Sequence, residues 1–376
     1  MEETYTSPSP VAASAPAPAA PPVSSSGSKL PVILGTALLF LLPFFFLPVF
    51  DSPFLWTNAT LISIVAFALV LLGVLGVFRN RRLSLPSTLG LGFVFLIPLT
   101  YAVSTILAGR PPSGLLGLGF EIDSALTALT FALLLLGTAL TFDSRRAILN
   151  ALFALSLGAG VLFLFVFLRT IGGVDLFDFG IFTRFVDNPL SSWTDLGIFY
   201  GLILLFLLSL LSFLPVSGFF RRAVEVGAVL SLLLVVVVGL ERIWWIMFAV
   251  FVAILVFFGM RGRIAELGMA RALRFLWAPI LVFLISVSFI FFRDPLNAWV
   301  VTVENAIGVQ VVNFEARPSW ESSIAIVRGI YSEGPLQLIA GVGPTRFFLE
   351  WQDRKPVEVN QTVYWNTDFG TAVGLI

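Results

Sequence analysis

Long apolar runs separated by short polar connections dominate this chain. They predict membrane-crossing helices near 30–49, 60–78, 86–108, 122–141, 147–167, 194–214, 223–240, 244–259 and 275–292, and Phe369 to Ile376 reads as the first two turns of a tenth. Each run approaches or exceeds the roughly 17–25 apolar residues a helix needs to cross about 30 Å of hydrocarbon. Lipid offers the backbone no water, so each run must satisfy its own N–H and C=O groups, and a helix does so. A transmembrane barrel would show short alternating strands instead. The expected fold is all-α: a polytopic transmembrane helical bundle with a large, partly helical periplasmic loop. A chain that stops a few residues into an apolar run is expected to be a C-terminally truncated piece of a longer one.

Orientation follows from the basic residues. Alternate connections carry Arg79, Arg81 and Arg82, then Arg145 and Arg146, then Arg221 and Arg222, then Arg261, Arg263, Arg271 and Arg274. The connections between them hold single arginines with Asp51, Asp123, Asp175, Asp178, Asp187 and Glu241. By the positive-inside rule the first set is cytoplasmic, together with the amino terminus and Lys29. The expected organisation is a disordered cytoplasmic tail over 1–29, nine transmembrane helices over 30–292, an extracytoplasmic loop over 293–368 and the start of a tenth helix over 369–376. The tail is rich in Pro, Ala and Ser and too poor in apolar surface to fold. The first apolar run follows this long polar tail without a small-residue cleavage pattern, so it reads as an anchor.

Composition narrows the function classes. Hydrophobic residues make up 58% of the 376 and charged residues 12%, which excludes an ordinary soluble domain. Cysteine is absent, which removes disulfides and thiolate metal sites. Net charge is zero and no basic stripe runs along any segment, so no nucleic-acid partner is expected. The apolar runs hold almost no ionisable side chains near mid-depth, where coupled transporters place them. The charges gather at the outer rim, which favours chemistry at the membrane surface over transport through it.

Three outward regions carry polar chemistry. In 168–195, Asn188-Pro189 favours a turn and Thr194 or Asp195 can cap the next helix. Glu241-Arg242 precedes Trp244-Trp245, a pair typical of the interfacial belt. Arg242 can snorkel to headgroups, or bind a lipid-linked phosphate bidentately at that depth. In 293–368, Pro318 and Ser319 open a helix with Trp320, Ile324, Val327 and Tyr331 on one apolar face, ended by Gly334-Pro335. Gly341-Val-Gly-Pro-Thr-Arg346 then forms a glycine-rich turn before a second short helix. Such a turn is either a plain reversal or, with Arg346 beside it, an anion cradle built of backbone N–H groups.

Together these pieces resemble the O-antigen ligase and Wzy polymerase superfamily of bacterial envelope enzymes. Arg184 with Asn188-Pro189 is similar to that family's Arg-then-Asn-Pro element, and Arg242 at the head of a span is similar to its Ser-Arg-Gly element, with Glu241 and Ile243 in the flanking places. Arg317-Pro-Ser-Trp320, then Gly341-Val-Gly-Pro344 and Phe347, resembles its "Arg, then Gly-x-Gly-Pro, then Phe" run. Asn360 to Asn366 resembles a segment that some members carry just after it. The resemblance covers roughly 180–376. It implies a metal-independent glycosyltransferase in the bacterial cytoplasmic membrane, needing no cofactor. The donor would be a glycan on undecaprenyl pyrophosphate, and the acceptor a hydroxyl of a lipid or another glycan. Phosphate and glycan binding would fall to Arg184, Arg242, Arg317, Arg346, Gly341 and Gly343. Family ligases use a histidine base, and this chain has no histidine: either that histidine lies beyond Ile376, another group substitutes, or this copy is inactive. Asp368 and Glu321 are the nearby substitutes, each requiring burial to raise its pKa for that role. The competing readings are a non-catalytic envelope protein that keeps the scaffold, and a transporter or flippase.

The orientation is open to direct test, because the native chain offers no thiol. A membrane-impermeant maleimide should label Asp175→Cys in intact cells and Arg146→Cys only after lysis. The opposite order would overturn the orientation.

Overall fold

The computed structural model describes residues 29–48, 53–80, 88–109, 111–117, 124–142, 144–190, 193–213, 218–239, 241–260, 269–306 and 320–357. The regular elements among them are helices: α1 (Leu30–Leu41), α2 (Pro53–Asn80), α3 (Thr88–Leu107), α4 (Pro111–Leu116), α5 (Ala125–Thr141), α6 (Arg145–Gly172) and α7 (Trp193–Phe213). They continue with α8 (Gly218–Val238), α9 (Glu241–Met260), α10 (Met269–Phe291), α11 (Arg293–Ala306), α12 (Trp320–Tyr331), α13 (Pro335–Ala340) and α14 (Phe347–Arg354). No strand occurs among the described residues.

By length and apolarity, three helices among the described residues are able to cross a membrane: Trp56–Arg79 in α2, Arg145–Gly172 in α6 and Trp193–Leu211 in α7. Ile280–Phe291 and Asp294–Thr302 would add a fourth as one span, but they meet at 103°. The apolar helices Leu30–Leu41, Gly92–Leu107, Ala125–Thr141 and Ile243–Ala253 are shorter.

Local chemistry explains where the elements begin and end. The expected first span, 30–49, is cut back to twelve residues, about 18 Å of helix. Pro43 follows α1 closely and has no N–H with which to continue the ladder. The second helix starts earlier than its apolar run, at Pro53, whose fixed φ and missing N–H suit a first helical position. Ser124 caps α5 by accepting the Thr127 N–H at 3.1 Å, and Ser144 caps α6 by accepting that of Ala147 at 3.2 Å; each satisfies a donor that the first turn leaves free. The expected cap at Thr194 or Asp195 moves, since α7 begins at Trp193 and places both residues inside its first turn.

Small residues set the register between helices. A Cβ on Gly137 would lie 2.7 Å from Leu69 Cβ, and one on Gly73 would lie 2.9 Å from Leu140 Cβ. The two pairs advance together, so α2 and α5 run parallel. Gly201 lies against Ile243 and Met247, which brings the N-terminal ends of α7 and α9 together. Trp244 stacks on Phe289 at 4.5 Å and Phe251 on Phe283 at 4.6 Å, so α9 and α10 are antiparallel. The main core lies among α6 to α10, with Leu162, Leu196, Leu204, Val235 and Met247 nearly inaccessible. Buried Tyr200 donates its hydroxyl to the Ala159 carbonyl at 2.7 Å, which ties α7 to α6.

Several hydroxyls inside the helices are satisfied locally. Thr170, Ser209, Ser231 and Ser286 each donate to the carbonyl four residues back, at 2.8 Å. This arrangement lets a polar side chain sit on an apolar helix without a partner from elsewhere.

The tightest approach joins α1 to α6, where a Cβ on Gly158 would come 2.3 Å from the Phe40 carbonyl oxygen. Gly158→Ala should cost about 1–3 kcal/mol through forced separation of the two helices and lower the melting temperature in detergent. Gly160→Ala, which faces open space, should leave it unchanged or slightly raised.

Candidate arginine site

One buried guanidinium organises the connection between α6 and α7. Arg169 stands in the last turn of α6 and is 2% exposed. Its Nη1 donates to the Asp187 carbonyl at 2.6 Å, and its Nη2 to those of Phe182 at 2.6 Å and of Val174 and Arg184 at 3.2 Å each. The rings of Phe165 and Phe182 lie 5.7 and 5.5 Å from its central carbon, within cation–π range. Charged donors make stronger hydrogen bonds than neutral ones, so this fork fixes the path of 174–187. Sequence reasoning missed this role and treated Arg169 only as the edge of a loop. The available signal was an arginine closing a long apolar helix just before Gly172-Gly173.

The same loop is pinned from outside by aromatic rings. Phe182 lies edge-on to Phe46 at 5.0 Å and near Phe54 at 5.4 Å. Phe177 and Phe179 adopt φ of 61° and 51°, a region costly for a bulky residue. Phe179 still reaches Phe46 at 5.8 Å. The α1–α2 connection and the α6–α7 connection therefore share one end of the structure.

The Arg184–Pro189 element forms a closed turn. Asp187 accepts the Arg184 backbone N–H at 2.7 Å and the Arg184 side chain through Nε at 3.1 Å and Nη2 at 2.9 Å. Asn188 is buried, donates to the Val186 carbonyl at 3.0 Å and accepts the Leu190 N–H at 3.0 Å. That Asx turn feeds the chain into Pro189 and α7. Arg184 is thus an exposed arginine oriented by a carboxylate, its side chain 77% accessible.

Glu241 and Arg242 open α9, and their side chains lie outside the described residues, as does that of Glu321 in α12. Trp244 packs inward at 2% exposure, while Trp245 is half exposed. Of the expected interfacial pair, therefore, only Trp245 faces outward.

The segment after α11 forms a small body of its own. The expected apolar face of α12 is rotated: Ser323, Ile326 and Ile330 are buried, while Tyr331 is exposed. Ile326 and Ile330 pack with Trp351 of α14 and with Val342 and Phe347. The requirement to cover Trp351 selects this face over the sequence-apparent one. Arg354 joins Glu350 at 2.7 Å and also Glu333, and these hydrogen bonds raise its pKa still further above the ordinary arginine value.

The glycine turn lies between α13 and α14. Gly341 and Gly343 have φ of 65° and 92°, and Thr345, which is not a glycine, has φ of 61°. The Gly341 N–H already donates to the Gln337 carbonyl at 2.9 Å, which removes it from any cradle. Arg346 stands at the head of α14, and its Nε is buried without a hydrogen-bond partner. The turn docks on α3: the Ser104 hydroxyl donates to the Ala340 carbonyl, and a Cβ on Gly343 would meet Ala108 Cβ at 3.1 Å.

Arg184, Arg346 and the start of α9 occupy one end of the structure. Helix α4 touches both α3, where Gly114 meets Thr105 near the C-terminal end, and α5, and α5 is parallel to α2, whose first turn carries Phe54. The Arg184 loop lies on that Phe54, and α9 begins beside the first turns of α7. Arg317 and Asp368 lie outside the described residues. No known family, curated protein or solved structure matches the chain.

Replacing Arg169 by Met would strand the buried Phe182 carbonyl, at about 1–3 kcal/mol when left unpaired, and release those of Val174, Arg184 and Asp187. Arg169→Met should open 174–187 to limited proteolysis and faster hydrogen exchange, whereas Arg184→Ala should not. Equal protection in both variants would remove the organising role of Arg169.

Proposed function

We propose that the protein is a polytopic membrane glycosyltransferase of the O-antigen ligase and Wzy polymerase type. In this reading it lies in a bacterial cytoplasmic membrane, with its amino terminus inside and 293–368 outside. It transfers a glycan from undecaprenyl pyrophosphate to a hydroxyl of a lipid or glycan acceptor, without a metal or cofactor. The observation that supports this best is the gathering of three sequence-distant elements at one end: the Arg184 turn, the head of α9 that carries Arg242, and the Gly341–Arg346 turn. Those are three of the four elements on which the family resemblance rests.

The chemistry suits arginine. When the glycosyl bond to the pyrophosphate breaks, negative charge grows on the leaving oxygens. Preorganised guanidinium groups at the rim of a low-dielectric layer stabilise that charge more than they stabilise the neutral glycosyl bond. Arg346 carries an unpaired buried Nε, and Arg184 is held open to solvent by Asp187. Arg242 and Arg317 complete the proposed phosphate set. The acceptor hydroxyl must lose a proton, and with no histidine in the chain that role is assigned to Asp368 or Glu321.

The absence of histidine also favours a second reading, a scaffold that binds lipid-linked glycan without turning it over. A purified-protein assay with an undecaprenyl-pyrophosphate glycan separates the two readings. Arg242→Ala, Arg317→Ala and Arg346→Ala should each lower transfer by about 100-fold, in line with the loss of one charge-stabilising donor, while each protein stays in the membrane. Wild-type turnover in all three removes the phosphate-binding role. Binding without turnover by the native protein selects the scaffold.

A further inference from the structure

The residues just before the glycine turn have an arrangement that neither the turn nor Arg346 explains. Helix α13 exposes Leu336, Leu338 and Ile339, at 49%, 61% and 81%. A short helix covering no protein core does not ordinarily present three large apolar side chains together. Its carbonyl end is fixed to α3 by Ser104, and one turn on along that side of α3 Leu107 is exposed. The apolar side chains of α13 thus stand beside a side of α3 that also exposes Phe93, Leu96 and Ile97.

The charge pattern agrees. Residues 334–345 contain no charged side chain and are bounded by Glu333 and Arg346. The depth follows from the anchor points. Ser104 stands three residues before the end of α3, about 5 Å down its axis at 1.5 Å per residue. Gly343 lies against Ala108, just past the end of α3. The chain therefore rises about 6 Å from the level of Ser104 to that of Ala108, which is comparable with the thickness of one headgroup layer.

We infer that α13 is a foot set into the lipid surface. Leu336, Leu338 and Ile339 enter the outer acyl–glycerol zone of the bilayer beside the end of α3, and the glycine turn lifts Arg346 to the level of the lipid phosphates. The partner is phospholipid, recognised by apolar insertion in the way interfacial helices bind. The depth of α13 rests on α3 being lipid-facing and not on glycan transfer; only the consequence for Arg346 rests on the proposed phosphate site.

The cysteine-free chain allows a direct measurement. Leu338→Cys and Ile339→Cys, labelled with an environment-sensitive NBD probe, are reconstituted in phosphatidylcholine–phosphatidylglycerol vesicles, with Asp353→Cys of exposed α14 as reference. At both test positions lipid carrying a shallow doxyl group should quench the emission more strongly than aqueous iodide, with the emission shifted to the blue; at Asp353→Cys the order should invert. Iodide quenching at 338 and 339 equal to that at 353 would overturn the inference. So would shielding from both quenchers, because a protein surface would then cover α13. Neither result bears on turnover, so loss of transfer in the arginine variants and loss of lipid quenching here are separable failures.

Discussion

A backbone that leaves helical form near a membrane must find donors for its carbonyls, and in this protein a single side chain serves four carbonyls at once. The guanidinium of Arg169 is buried at the end of α6, where the connection to α7 folds back over the helix ends. Without a donor there, the buried Phe182 carbonyl would go unpaired, and those of Val174, Arg184 and Asp187 would lose the contact that fixes the loop. Arginine suits the position because its planar fork keeps its charge and addresses several acceptors at once. The turn that orients Arg184, the Asx turn at Asn188 and the start of α7 all lie downstream of this clamp.

The helices below are joined by two kinds of contact that divide the structure. Between α1 and α6 and between α2 and α5, glycines let backbones approach until a single added carbon would collide. Close packing of this kind holds helices together where lipid supplies no hydrophobic drive between them. Between α9 and α10 the work falls to stacked aromatic rings instead, Trp244 on Phe289 and Phe283 against Phe248 and Phe251. Rings set distance and orientation less rigidly than a glycine notch, and α10 is also the helix that gives way to a sharp bend into α11.

Much of the helical layout was legible in the sequence because apolar runs and arginine clusters act one residue at a time. Runs such as 147–167 and 194–214 mark α6 and α7 closely. The boundaries were less legible where proline intervened: Pro43 shortens α1 and Pro53 lengthens α2. The face of α12 was misread because helical spacing alone allows more than one apolar stripe, and Trp351, far along the chain, chooses the stripe of Ile326 and Ile330. The Arg169 clamp was invisible for a related reason. Its acceptors are carbonyls, which every residue carries, so no pattern of side chains announces them. The candidate site divides in the same way: Arg184 with Asn188 and the glycines at 341 and 343 stand out as residue types, whereas the docking of that turn on Ser104 and Ala108 exists only once the chain has folded.

That the clamp grips carbonyls has a consequence for how this surface can diversify. Side chains from Val174 to Phe182 accept no hydrogen bond from Arg169, so they are free to change as long as the main chain keeps its course and both the Asp178 charge near Arg169 and the rings that meet Phe46 and Phe54 are retained. The shape of the loop and its chemical character are inherited separately. Asp175 or Leu176 could be replaced without refolding the connection, while a single change at Arg169 would alter the course of the whole loop.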